Sequence, residues 1–139
     1  MKLVDTMSVT ASGLTAQRVR LQTVASNMAN ARTTRTADGG PYQRKMPVFQ
    51  AEADPFGNML DQAISRVNVT EIRESNEPNV RVFDPGHPDA DATGYVEYPN
   101  VNVLEEMVDM MMTARTYEAN TSVIDVTRNM ASQALDLGR

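Results

Sequence analysis

The sequence predicts a mostly α protein with a small β insert, in which two long terminal helices pack as a coiled-coil-like pair around a central β-rich segment. Three observations predict it. A heptad pattern of apolar residues occupies the first thirty positions. A denser one runs from residue 103 to residue 137 without Gly or Pro. The chain between them is polar, punctuated by turns and alternates with period two. This divides the chain into 1–34, an N-terminal helix; 35–99, a loop and small β insert; and 100–139, a C-terminal helix.

The first helix is expected over about residues 3–30. Met7, Leu14, Leu21 and Met28 interleave with Leu3, Thr10, Gln17 and Val24 at alternating steps of four and three, the spacing of a coiled-coil seam. Gly13 costs the helix about 1 kcal/mol relative to Ala, and Asn30 is a suitable stop. The last helix has stronger signals. Pro99 ends what precedes it, and Asn102 followed by Glu105 forms a capping box that starts a helix at Val103, with Gly138 as its stop. One stripe of this helix is Val103, Met107, Met110, Ala114, Tyr117, Thr121, Ile124, Ala131 and Leu135. Beside it runs Leu104, Val108, Met112, Ala119, Val123, Val126, Met130, Ala134 and Leu137. Two adjacent stripes make a helix that needs partners on more than one side. The two helices would be roughly 42 and 52 Å long, longer than a compact domain of this size is wide.

Between the helices, Ala37-Asp38-Gly39-Gly40-Pro41 reads as a loop, Tyr42–Gln50 as a strand with Pro47 marking an edge, and Asp54-Pro55-Phe56-Gly57 as a turn. Val67 and Val69, then Val80 and Val82, alternate as half-buried strands do, with a turn at Asn76-Glu77-Pro78-Asn79. Tyr95, Val96 and Tyr98 form a last short strand.

Composition narrows the function. Apolar residues make up 41% of 139, yet Trp is absent and only three Phe and four Tyr occur, against ten Met. Such a chain builds helix seams from small and flexible side chains more readily than a rigid enzyme core. A net charge of −5 argues against a nucleic-acid partner. Lys2, Arg18, Arg20, Arg32 and Arg35 face a lone Asp5 at the N-terminal end, whereas Glu105, Glu106, Asp109, Glu118, Asp125 and Asp136 outnumber Arg115, Arg128 and Arg139 at the C-terminal end, so the two ends are complementary. No cysteine is present, which excludes disulfide and thiolate chemistry. Neither an apolar run of signal-peptide length at the N-terminus nor a stretch of about 20 apolar residues is found.

The most site-like cluster is Asp84-Pro85-Gly86-His87-Pro88-Asp89-Ala90-Asp91-Ala92-Thr93-Gly94. A calcium loop would begin at Asp89, but Thr93 is a poor ligand and Asn100 stands where a bidentate Glu belongs, so a loop ordered by Pro and Gly is the stronger reading. One His between two prolines leaves a catalytic relay little to work with. Glu105 and Glu106 are adjacent on the helix, cannot share a site, and are read as negative charge at its N-terminus. The Met107, Met110, Met111 and Met112 cluster reads equally as core and as adaptable interface. No enzyme activity, cofactor or metal is expected.

Three stretches carry a family resemblance: Ser12-Gly13-Leu14-Thr15-Ala16-Gln17-Arg18 leading to Ala25-Ser26-Asn27-Met28-Ala29-Asn30; Asp84-Pro85-Gly86-His87-Pro88-Asp89-Ala90 leading to Tyr98-Pro99-Asn100-Val101-Asn102; and Glu105-Glu106-Met107-Val108-Asp109-Met110 leading to Tyr117-Glu118-Ala119-Asn120. The Ser-Asn-x-Ala-Asn element resembles the flagellar axial family of rod, hook and related proteins, and the Asp-Pro-Gly-His-Pro run is similar to its proximal-rod members. Arg35-Thr36 stands where many hook-type members carry Gly and an aromatic, which counts against a hook or distal-rod assignment more than a proximal-rod one. The resemblance implies a structural subunit exported unfolded, without a cleaved signal peptide, by the flagellar type III system. It implies a place in the periplasmic rod of the basal body, between the inner-membrane ring and the distal rod, with the terminal helices in the wall of a hollow helical tube. Its implied partners are itself, other proximal- and distal-rod proteins, and the inner-membrane ring or export-gate adaptor, with no nucleic acid, small-molecule substrate or membrane insertion. The expected assembly residues are Met7, Leu14, Leu21, Met28, Met107, Met110, Tyr117, Ile124 and Leu135. Asn27 and Asn30 are expected to satisfy backbone groups where the first helix ends, and the 84–94 loop to set the approach of the last helix. Asp84, Gly86, His87, Pro88, Asn102 and Asn120 are the remaining motif positions. The alternative is a soluble helical adaptor or chaperone-like binding protein that never polymerises.

Overall fold

In the computed structural model of the chain, residues 3–37, 39–52 and 65–137 are described. They form α1 (Leu3–Ala29), β1 (Lys45–Glu52), β2 (Arg66–Glu74), β3 (Val80–Phe83), β4 (Tyr95–Tyr98) and α2 (Val103–Leu137). The expected turn at 54–57 and the Gly138 stop lie outside these residues.

Both helices sit where their caps put them. At the end of α1, the Asn30 backbone N–H and its side-chain Nδ2 both donate to the Ser26 carbonyl, at 3.1 and 2.9 Å. Asn30 stops the helix through its side chain and not through a left-handed backbone, since no non-glycine residue described here has a positive φ. At the start of α2, Asn102 Oδ1 accepts from the Leu104 N–H at 3.1 Å and its carbonyl accepts from Glu106 N at 3.0 Å. The capping box is half made: no bond from Glu105 back to Asn102 is found among the described residues, and Glu105 lies in solvent.

α1 is central. Among the described helices and strands α2 packs against α1 alone, and the β1–β2 hairpin lies along another face of α1. The helices run antiparallel, because Arg20 reaches Asp109, Asn27 reaches Glu106, and a Cβ on Gly13 would stand 3.5 Å from Asn120 Nδ2. The heptad row read from the sequence is not the row that closes the pair. Of its described residues only Val24 is buried, while Met7, Leu14, Leu21 and Met28 are half-buried. The buried positions of α1 are Ala16, Thr23, Val24 and Asn27, and those of α2 are Glu106, Thr113 and Thr127. The reason is steric and electrostatic: the small Ala16 and Thr23 let the helices approach closely, and the ion-pairing residues fix the register. Thr113, Thr116, Thr121, Ser122 and Thr127 satisfy their hydroxyls within α2, each donating to the carbonyl four residues back at 2.7–3.1 Å.

The strands form two separate antiparallel hairpins, β1–β2 and β3–β4. β1 starts at Lys45, later than expected, because Tyr42 turns inward as a buried anchor and does not join a ladder. Residues 45–52 pair with 74–66 through a bulge between Val48 and Phe49, where Thr70 is left over and its hydroxyl donates to the Val48 carbonyl at 3.2 Å. The segment 76–79 links the two hairpins and does not close one. In β3–β4, Val80 pairs with Tyr98 and Val82 with Val96 on one face, where Val96 is buried and Val80 and Val82 stay exposed, while Arg81 pairs with Glu97 and Phe83 with Tyr95 on the other. Gly94 closes this hairpin with φ +81°, and an added Cβ would lie 2.9 Å from the Phe83 ring, so only glycine fits.

The molecule exposes 10102 Å², against roughly 7,100 Å² for a compact protein of 15.3 kDa.

Candidate functional site

Two features carry the functional argument: a polar junction that fixes where the helices meet the insert, and the outward faces that the helices leave uncovered. The junction is centred on Glu106, the largest fully buried side chain, at 1% exposure. Arg44, just before β1, reaches Glu106 Oε1 at 2.7 Å through both Nε and Nη2. Asn27 Nδ2 donates to Glu106 Oε2 at 3.2 Å and to the Lys45 carbonyl at 2.9 Å, while Asn27 Oδ1 accepts from the Lys45 N–H and the Tyr42 hydroxyl, both at 2.9 Å. Asn27 therefore satisfies strand backbone, not helix-end backbone, and ties the last turn of α1, the first residue of β1 and the first turn of α2 into one node. A buried charge so fully bonded fixes geometry more than it adds stability.

Both glutamates lie in the first turn of α2, as read from the sequence, but they differ in setting: Glu105 is exposed, and Glu106 is the inward ion. The available signal was a polar heptad row, Glu106, Thr113, Asn120 and Thr127, which sequence reasoning assigns to solvent. Three of the four are buried and Asn120 is half-buried against α1. One turn further along, Arg20 pairs with Asp109 through Nε, at 3.1 Å from Oδ2, and through Nη2.

The 84–94 loop is held by its own polar groups and by the segment after α1. Asp84 Oδ1 accepts from Gly86 N at 3.2 Å, and His87 Nδ1 accepts from Asp89 N at 3.1 Å while its ring meets Tyr98 edge-on. Asp89 accepts from the Thr34 hydroxyl at 2.8 Å and lies 3.8 Å from Arg35. The Thr93 hydroxyl, the Tyr95 and Thr93 N–H groups and the Arg81 guanidinium hold the Asp91 carboxyl down to about 2. Pro88 lies exposed at the rim of an open cleft of about 450 Å³ between this loop and residues 34–41. Among the described residues no group of three His, Cys, Asp or Glu side chains is disposed to hold a metal, and no helix is long and apolar enough to cross a membrane. Among the described residues the loop's side-chain bonds run to Thr34 and Arg35 in the α1–β1 connection and to Arg81 on β3, and none is found to α2.

The faces of the helices are the reverse of an ordinary amphipathic pair. Inside lie small and polar residues; outside, on α2, lies the whole second stripe. Leu104, Val108, Met112, Val123, Val126, Met130 and Leu137 are all exposed, Leu104 by 70% and Val126 by 58%. Of the residues expected to assemble, Met107, Tyr117 and Leu135 are exposed and Met110 and Ile124 are half-buried on the side towards α1. An uncovered apolar strip of this length marks an interaction surface.

Comparison with known proteins agrees in kind. Residues 7–35 match the family model for the flagella basal body rod protein, and residues 92–137 match that for the flagellar basal body rod FlgEFG protein C-terminal. The flagellar basal-body rod protein FlgC of Salmonella typhimurium (strain LT2) is 42% identical over 139 residues, covering 100% of each chain. The proteins of the same name from Bacillus subtilis (strain 168) and Borreliella burgdorferi are 41% and 42% identical, covering 96% and 97% of each chain respectively.

Proposed function

Since the chain belongs to the FlgC family of flagellar basal-body rod proteins, we propose that it works by polymerising through its terminal helices in the proximal part of the rod. It is a structural subunit of the basal-body rod and associates with other rod proteins. The finer reading is that it lies in the periplasmic space, between the inner-membrane ring with its export-gate adaptor and the distal rod. The role we infer is structural and not catalytic. The observation that supports polymerisation is the inverted helix pair: polar and small residues are enclosed while α2 leaves Leu104 to Leu137 open. Burying that strip against neighbours yields about 25 cal/mol per Å² of apolar surface, a gain that a lone adaptor-like monomer forgoes.

The assembly surface includes Met107, Tyr117 and Leu135 beside the open stripe, and Met7, Leu14, Leu21, Met28, Met110 and Ile124 at the half-covered edge of the helix pair. Val126 gives the cleanest test, because its side chain contributes to surface and not to the fold. Val126→Asp leaves the monomer's unfolding free energy, read in urea, within about 0.5 kcal/mol of the original, yet abolishes motility and incorporation into basal bodies. A motile strain carrying Val126→Asp overturns the reading.

A further inference from the structure

In an antiparallel pair every second residue turns its main-chain N–H and C=O away from the ladder, so each strand of a two-stranded sheet has an outer side that needs partners. On β1 the outward groups of Lys45 are met by the Asn27 side chain, which accepts from the N–H and donates to the carbonyl, both at 2.9 Å, and Pro47 has no N–H to offer. On β2 the Val67 N–H donates to Ser12 Oγ at 3.1 Å. On β4 the Tyr95 N–H donates to Asp91 Oδ1 at 2.9 Å, and its carbonyl accepts from the Asp91 N–H at 2.8 Å. β3 is the exception. The Asp84 N–H donates to the Gly94 carbonyl at 2.9 Å, so the next ladder bonds fall at Val82–Val96 and Val80–Tyr98, and the main-chain groups of Arg81 and Phe83 point outward. Among the described residues nothing bonds those groups, and among the described helices and strands β3 meets β4 alone. Its residues are exposed throughout, Phe83 by 62%.

Resting on the rod-subunit reading, we propose that β3 takes an added strand from another rod protein: an extended segment with β-branched residues alternating along one face and a carboxylate opposite Arg81. In strand addition the main chain supplies the affinity and the alternate side chains supply the choice. A bare edge with apolar side chains is a liability that proteins ordinarily cover. Here β3 is the one described strand whose outer side is met nowhere, and it carries Val80, Val82 and Phe83 in the open. A two-stranded sheet is marginal by itself, and a third strand completes it. On one face the incoming residues lie beside Val80 and Val82, exposed by 49% and 43%, which calls for Val, Ile or Thr. On the other they lie beside Arg81, whose side chain keeps 55% exposure beside Asp91 and Glu97, which calls for an acid. A second copy is not the occupant. Among its described strands it brings β3 as its open edge, and β3 against β3 is a two-fold contact that closes at a dimer.

Amide hydrogen exchange reads the pairing directly. In the purified chain the Arg81 and Phe83 N–H groups exchange freely, whereas that of Val82 is held by the ladder. In isolated basal bodies the Arg81 and Phe83 amides are expected to exchange on the order of tenfold more slowly. Unchanged exchange there, in basal bodies that contain the chain, overturns the added strand and leaves the rod function standing. Slow exchange of the same two amides in the purified chain means that a second copy takes the edge, and overturns the choice of partner. A pair of variants checks that the backbone is what is recognised, both being first shown to unfold cooperatively in urea. Phe83→Pro deletes one outward donor at a position where a sheet edge tolerates proline, and Phe83→Ala keeps it. Incorporation into basal bodies should be about tenfold lower for Phe83→Pro than for Phe83→Ala; equal incorporation sinks the proposal. Absence of the unmodified chain from basal bodies would instead sink the rod function itself.

Discussion

Glu106 is the residue on which the junction depends, and removing it has a defined cost. Glu106→Ala removes the partner of the Arg44 guanidinium and of one Asn27 donor, at a position that is itself 1% exposed. Breaking a buried pair from one side costs about 3–5 kcal/mol; because Arg44 keeps 29% of its side chain in water, the low end, about 3 kcal/mol, is expected from urea unfolding. The loop carboxylate Asp91 predicts a pH effect of known sign. Its folded pKa is lowered from 3.8 to about 2, so its contribution is complete above about pH 4 and is lost as pH falls through 2. Comparing urea midpoints of the wild type and Asp91→Asn should therefore give a gap at neutral pH that closes between pH 3.8 and 2; a gap unchanged across that window refutes the assignment.

At the scale of elements, α1 contains a correctable weakness. Gly13 has an ordinary negative φ, and a Cβ there meets Asn120 Nδ2 at an ordinary 3.5 Å. Gly13→Ala should stabilise the isolated chain by about 1 kcal/mol through helix propensity, read as a higher thermal midpoint. A lower midpoint would mean that the helices approach more tightly there than the contact implies. The elements themselves were largely legible in the sequence. Asn102 and the unbroken run to Leu137 located α2, and Asn30 located the end of α1, because caps act within a turn of their own residue. What could not be read was which face goes inside. Periodicity reports where apolar residues recur, and the usual inference seats them in the core. Here Glu106, Thr113, Asn120 and Thr127 hold that place, because Arg44 and Asn27, distant in sequence, complete the ion's bonding. Tyr42 was misplaced for the same reason: its partner, Asn27 Oδ1, is a tertiary contact with no local signature.

Across the whole molecule, a surface of 10102 Å² on a chain this small means that too little is buried to hold every helical turn unaided. Dilute monomer should accordingly have less helix by circular dichroism than α1 and α2, at 27 and 35 residues, would supply, and should gain it on incorporation. Full helicity in the dilute monomer would separate folding from assembly. The family resemblance was visible from motifs at both ends and after residue 80, and the matched segments 7–35 and 92–137 fall in the same places. The insert contributed little to it, since short exposed strands tolerate many residues.

The five hydroxyls of α2 that bond back to their own helix bear on mechanics. Each borrows a carbonyl already engaged in the main-chain ladder, which slightly weakens the rung and lets the helix bend. Confined to residues 113–127, they give a stiff bar a compliant middle third. A strut built in this way can take up the curvature of a cylinder and yield under twisting load, where a uniformly rigid one would pry its neighbours apart.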